Sequence, residues 1–289
     1  MILSQTTSCV LKLGDEKAIE LLAQAGFDAV DYSMTALSVE NSVLNSEHWR
    51  EYILKLRETA QKNNVFFNQG HAVGSVSHPD RDEALKILVS KNRRAIEIAA
   101  ALGIKTLVIH PVESGDYIGR EAEVFQRNMH YFNSLLPWAE SFGVKLACEN
   151  MWCGDKRKGV RTGSVCSNPF EHAKYIDEIN NVFFVACLDV GHSALAGREA
   201  QDCIRVLGKR LGALHIHDND YLDDMHTLPG LSEMNWAEIT RALSEIGYNG
   251  DFTLETDHFF DSFETEEEFR LGLKLSERIG RRLIAEIEG

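Results

Sequence analysis

Short apolar runs, each ending in a polar or charged residue, recur along this chain at a near-constant step of about 40 residues. Tyr32, His71, His110, Glu149 and Asp189 keep that step, His215 follows after a shorter interval, and Glu255 resumes it. A strand, a loop, a helix and a return loop need roughly 30 residues or more, so the step is the length of one βα unit. No sequence repeat lies beneath it, which makes the periodicity architectural.

The strand-like runs are Ile2–Thr6, Ala29–Tyr32, Val65–Gln69, Thr106–His110, Lys145–Glu149, Phe183–Asp189, Gly212–His217 and Asp251–Glu255. They are short and β-prone, as strands covered on both faces should be. Helical spacing fills the intervals at Asp15–Ala25, Ser46–Asn63, Asp80–Leu102, Glu121–Phe142, Phe170–Ile179, Arg198–Lys209, Trp236–Ile246 and Thr265–Ile287. Ser46 is the expected cap of the second, and Thr265 with Glu268 has capping-box spacing for the last. Glycine stands where helix returns to strand in AGFDAV, SFGVKL and EIGYNGDF. Eight strands alternating with eight helices predict an α/β (β/α)8 TIM barrel spanning 1–289 as a single domain. A doubly wound open sheet is the competitor, but no GxGxxG turn follows the first strand.

A formal charge of −14 makes a nucleic-acid partner unfavourable, since phosphodiester backbones are repelled unless one face is locally basic. Only Lys156, Arg157, Lys158 and Arg161 approach a basic cluster, enough for one phosphate or carboxylate. The six cysteines show no CxxC or zinc-finger spacing, so free thiols in a reducing cytoplasm are expected. No basic-then-apolar leader opens the sequence, and no run reaches the ~20 apolar residues of a membrane span.

In a parallel α/β barrel the C-terminal strand ends share one face, where ligands bind. Glu149 in LACEN, Asp189 in VACLDVGH, His215 in LGALHIHDND and Glu255 in FTLETD would be neighbours there. Three carboxylates and an imidazole suit a hard or borderline divalent metal, whose charge offsets the burial of the acids. His71 in NQGHAVG and His110 in VIHPVES end two further strands. Trp152 and Asp155 follow Glu149 and could wall the pocket and contact substrate hydroxyls.

CLDVGH, HIHDND, DMHTLPG and FTLE, with the pair Asn235–Trp236, resemble the xylose isomerase-like TIM-barrel superfamily over nearly the whole chain. That superfamily holds sugar and polyol isomerases and epimerases, inosose-processing enzymes and endonuclease IV. The resemblance implies one divalent metal per chain (Mn, Zn, Co or Mg) on Glu149, Asp189, His215 and Glu255. It implies a substrate-contacting His192, three residues after the metal aspartate. Glu149 and Glu255 are the candidates for the acid/base pair. A metal that chelates a ketose carbonyl and its neighbouring hydroxyl acidifies the C–H between them, one carboxylate removes the proton, and a second returns one. If a single glutamate does both, the product is the aldose–ketose isomer.

Two alternatives follow from the same resemblance. In the endonuclease IV branch, histidines placed like His71 and His110, with a DxH motif, bind a three-zinc cluster; Asp224 and His226 supply that motif here. Many sugar epimerases carry a substrate-contacting arginine in the DxH region, and this chain does not. An inosose dehydratase-like lyase would need the same metal-assisted proton removal followed by loss of water. The implied partner is a small carbohydrate or polyol that His71, His110, His192, Asp224, His226 and Trp152 would contact, in a homo-oligomer of two or four chains.

Overall fold

The computed structural model describes residues 1–155 and 157–289. Among the described residues ten strands are formed: β1 (Ile2–Thr6), β2 (Ala29–Ser33), β3 (Phe66–His71), β4 (Thr106–Ile109), β5 (Lys145–Glu149), β6 (Trp152–Asp155), β7 (Val160–Gly163), β8 (Phe184–Asp189), β9 (Leu211–His215) and β10 (Asp251–Leu254). The helices are α1 (Asp15–Ala25), α2 (Trp49–Lys62), α3 (Arg81–Leu102), α4 (Glu121–Phe142), α5 (Pro169–Ile179), α6 (Val190–Leu195), α7 (Ala200–Leu207), α8 (Trp236–Glu245) and α9 (Glu266–Glu288).

Eight strands form one parallel sheet in the order β10-β1-β2-β3-β4-β5-β8-β9. A parallel bridge between Ile216 and Leu254 joins its two edges. There the Ile216 amide donates to Thr253 O at 2.9 Å and the Glu255 amide to Ile216 O at 3.0 Å, closing the barrel. The expected (β/α)8 architecture is therefore present, and each predicted barrel strand lies within two residues of its observed position.

The main apolar core lies between barrel and helices, where Leu3, Val30, Leu107, Leu146 and Leu214 meet Ile19, Ile96, Phe132 and Leu283. Inside the barrel a small layer of Val108, Ala147, Cys187 and Ala213 fills the axis. One end of the lumen is polar: Ser4 bonds Thr253 at 2.9 Å and Asn68 reaches across to Ser4 at 3.0 Å. The other end carries the ionisable residues.

Helix termini explain several boundaries. Asp80 accepts from the amides of Asp82 and Glu83 and starts α3, while Thr265 and Glu268 form a reciprocal capping box at α9. Gly26, Gly103 and Gly143 take left-handed φ of 103°, 87° and 67° to turn α1, α3 and α4 back to the sheet. The expected Ser46 cap is corrected: a 3-10 turn at Val43–Asn45 delays α2, and His48 precedes its first residue. Two elements were not anticipated, the short α6 and the antiparallel β6–β7 hairpin. No helix among the described residues is long and apolar enough to cross a membrane, and all six cysteines are free and buried.

Candidate active site

Strand alternation sends Val108 and Ala147 to the barrel axis, so His110 and Glu149, two residues on, point inward at its mouth. The same alternation carries Cys187 to Asp189 and Ala213 to His215 and then His217. Glu149, Asp189, His215, Glu255, His71, His110, His192, Asp224, His226 and Trp152 all gather at this mouth, whereas Asp155 does not. His215 Nδ1 lies 2.8 Å from Glu149 Oε1 and 3.0 Å from Glu255 Oε2. His110 Nε2 is 2.8 Å and His71 Nε2 3.5 Å from Glu149 Oε2, and the two rings are 3.1 Å apart at Nε2. Asp189 meets His217 Nε2 at 2.9 and 3.1 Å and His192 Nδ1 at 3.9 Å. Asp224 faces His192 Nε2 at 3.6 Å and His226 Nε2 at 3.3 Å, and accepts from Trp152 Nε1 at 3.0 Å. Trp152 thus forms a wall of the site.

The histidine tautomers follow from their neighbours, because a backbone carbonyl can only accept. His71 Nδ1 meets Ala72 O at 2.9 Å, His192 Nδ1 meets Asn150 O at 2.9 Å, and His226 Nδ1 meets Glu255 O at 3.0 Å. All three therefore carry a proton on Nδ1 and turn Nε2 toward the carboxylates, where it is a lone pair whenever the ring is neutral. Facing them, Glu149 Oε2 and Asp224 Oδ1 are buried and have no well-aligned donor.

Charge is balanced inside the cluster. Burial alone would raise the Glu149 carboxyl, but the imidazoles of His215 and His110 outweigh it and hold the group well below the usual carboxylate range. Asp189 is likewise held at about 2 against its burial by His192 and His217. His192 is pushed up to about 10 despite its burial, by Asp189 and Asp224.

Several participants escaped the sequence reading. His217, the second imidazole of HIHDND, is the ring that touches Asp189; it stacks on His226 at 3.9 Å with the planes 9° apart. Asn150 braces the ends of β5 and β8: its Oδ1 accepts from the Asp189 amide at 2.8 Å, and its Nδ2 donates to Asp189 O at 2.9 Å. Asp257 Oδ1 lies 3.1 Å from His226 Nδ1. Tyr32, a member of the periodic series, is corrected: it faces outward, where its hydroxyl donates to Asp15 at 2.6 Å. Its neighbour Asp31 turns inward instead, 3.9 Å from His215 Nε2. The hint for His217 was the alternation itself, which puts residues 215 and 217 on one face.

Of the weaker candidates, Asp155 is buried against Arg157 and Lys158 in the hairpin turn, and Arg161 pairs with Asp223 and lies 5.1 Å from the Trp152 ring centre. Lys156 lies outside the described residues.

Residues 19–278 match the model of the xylose isomerase-like TIM barrel family. The chain belongs to that family. An uncharacterised protein of Methanocaldococcus jannaschii is 27% identical over 255 residues, covering 86% of this chain and 82% of the relative. The D-psicose 3-epimerase of Ruminiclostridium cellulolyticum is 24% identical over 256 residues, covering 82% and 76%. A crystal structure of the IOLI protein with a zinc atom superposes with a TM-score of 0.71 at 18% identity, covering 99% and 98% of the two chains. Sugar epimerases are thus among this family member's relatives, and the barrel is shared with a zinc-binding protein.

Proposed function

We propose that this chain is a divalent-metal-dependent isomerase or epimerase acting on a sugar, sugar phosphate or polyol-derived ketone. The observation that carries the reading is the convergence of imidazoles held at Nδ1 by backbone carbonyls, with Nε2 turned to buried carboxylates. Nε2 of His71 and His226 stands 3.5 and 3.3 Å from carboxylate oxygens, and such a nitrogen–oxygen donor set with each imidazole oriented at its other nitrogen suits a divalent cation. A dication would also neutralise the carboxylates while leaving the imidazoles uncharged.

Glu149, Asp189 and Glu255, with an imidazole of HIHDND, would hold the ion; His215 meets the two glutamates and His217 the aspartate. A bound divalent ion supplies Lewis acidity to a ketone oxygen and the hydroxyl beside it. Glu255 is the more open carboxylate, 14% exposed against 1% for Glu149, and is the better placed to take a carbon-bound proton at Oε2. Glu149 returns the proton on the other face for epimerisation. Trp152 walls off water, and His192 contacts substrate oxygen. Asn150 keeps the ends of β5 and β8 in register, so that Glu149 and Asp189 hold their spacing.

The test is solvent deuterium incorporation into a panel of ketoses, ketose phosphates and inososes by the metal-loaded protein. Incorporation should vanish in Glu149→Gln and Glu255→Gln while both keep their fold. Normal turnover in both variants would refute the acid/base assignment. Product analysis on inososes separates epimerisation from loss of water.

A second reading has its own observation. His71–His110–Glu149 and His192–Asp224–His226 form two further groups with metal-ligand spacing, as a three-zinc phosphodiesterase would need. The charge of −14 opposes a DNA substrate. About three zincs per chain together with cutting of abasic DNA would put this reading first.

A further inference from the structure

Behind Glu149, in the core between β5 and α5, two thiols and an imidazole meet away from the barrel lumen. Cys148 Sγ and Cys166 Sγ are 3.7 Å apart. With His172 they form a buried group whose ligand atoms all lie within 4.8 Å of one another. We propose that Cys148, Cys166 and His172 are a second metal site, distinct from the mouth of the barrel, for a borderline-soft divalent ion of the zinc class.

Four observations support it. Tetrahedral zinc with Zn–S bonds of about 2.3 Å sets its sulfurs about 3.8 Å apart, close to the separation here, whereas a disulfide needs about 2.05 Å. His172 Nε2 meets the Cys148 carbonyl at 2.8 Å, so the proton sits there and Nδ1 is a buried lone pair without a partner. That is the pinning seen for the imidazoles of the mouth, with the two nitrogens exchanged. Burial also holds His172 down at about 4, so the ring is neutral, as a ligand must be. Finally, Cys166 occupies a left-handed φ of 62°, where glycine would be unstrained. A strained non-glycine residue that persists in a buried cluster points to a role for its side chain.

Three protein donors leave a fourth position for water or for Tyr175, whose hydroxyl is buried without a partner one helical turn beyond His172. Binding the ion converts two thiols to thiolates and releases two protons to solvent. The location gives the site a purpose. Cys148 immediately precedes Glu149 and Cys166 follows the β6–β7 hairpin, so the ion would tie together the base of the segment that carries Trp152.

The experiment uses cobalt(II) as the probe, loaded into the chelator-stripped full-length chain. Thiolate ligation gives an intense sulfur-to-cobalt charge-transfer band in the near ultraviolet, which nitrogen and oxygen donors do not give. The band is expected in the parent and in Glu149→Gln, where the mouth is damaged. It should disappear in Cys148→Ser and in Cys166→Gly, and survive in Cys187→Ser, which alters the thiol inside the lumen. Cys166→Gly relieves the backbone strain, so its fold, checked by circular dichroism, should be retained. Absence of the band in the parent overturns the site, as does its survival in both Cys148→Ser and Cys166→Gly. A freshly purified chain lighter by two hydrogens and unreactive at these thiols would show a disulfide and overturn it equally.

Discussion

Gly191→Ala should damage the mouth of the barrel while leaving the backbone content. Gly191 lies in α6, two residues after Asp189, and a Cβ there would stand 2.0 Å from His217 Cε1, 2.6 Å from Nε2 and 2.7 Å from Nδ1. Carbon–carbon contact needs about 3.5 Å, so the ring must move by about 1.5 Å. Its retreat is restricted by His226, stacked on it at 3.9 Å. The ring must leave Asp189, now 2.9 Å away. Forcing a side chain into a packed site costs about 1–3 kcal/mol, offset by up to about 1 kcal/mol of helix propensity gained over glycine. The net loss of about 1 kcal/mol corresponds to a Tm lower by roughly 2 °C in a chain of this size. The larger effect is functional, since a displacement of about 1 Å at a reacting centre can cost about 100-fold. The assay is competition for zinc against a chromophoric chelator, with a thermal melt of the same sample. Zinc affinity within twofold of the parent at an unchanged Tm would refute the claim that His217 is held between Gly191 and His226 as a metal ligand.

Asn150→Ala strips the Asp189 amide of its buried partner and leaves the Asp189 carbonyl to Ser193 alone, so a loss of roughly 2 kcal/mol is expected in urea unfolding. Thr265→Ala breaks the capping box of α9 and should cost about 1 kcal/mol in the same assay. Asp28→Asn tests a pH dependence. Arg281, together with the Leu3 amide, holds the Asp28 carboxyl below its usual value against partial burial. A depressed folded pKa stabilises above the unfolded value of about 3.9 and loses that contribution as pH falls through the folded one. The variant should therefore be less stable than the parent at neutral pH, and the two unfolding curves should converge as the pH falls below the unfolded value and through the lower folded one. Parallel curves throughout would rule out the coupling.

The barrel was legible because its strands are short apolar runs separated by helical stretches of ordinary length. The β6–β7 hairpin was not, because Trp152–Gly163 is rich in glycine and charge and lacks the apolar alternation that marks a strand. The helix α6 hid for another reason. Asp189 ends β8 and also caps α6 by accepting from the His192 amide at 2.7 Å, so no loop announces the change. At the site, one polar residue per strand could be read from the step of the βα units. A barrel lumen takes alternate residues from each strand, so Asp31 and His217 were passed over in favour of Tyr32 and His215. Asn150 and Asp257 act just past strand ends, where local pattern carries no signal and only tertiary placement gives them partners.

The single bridge between Ile216 and Leu254 has a kinetic corollary. β10 meets β9 by that bridge, whereas its ladder of four residue pairs is with β1 and pairs Ile2 with Asp251 across nearly the full length of the chain. The strand that carries Glu255 is thus held mainly by the pairing with the largest sequence separation in the sheet, among the slowest kinds of contact to form. Half the ligand set can exist on a nascent or partly opened barrel, and such a species would bind metal weakly. An ion held by Glu149, Asp189 and Glu255 would bind the last-formed seam to the strands opposite it, so metal occupancy should slow unfolding more than it speeds folding.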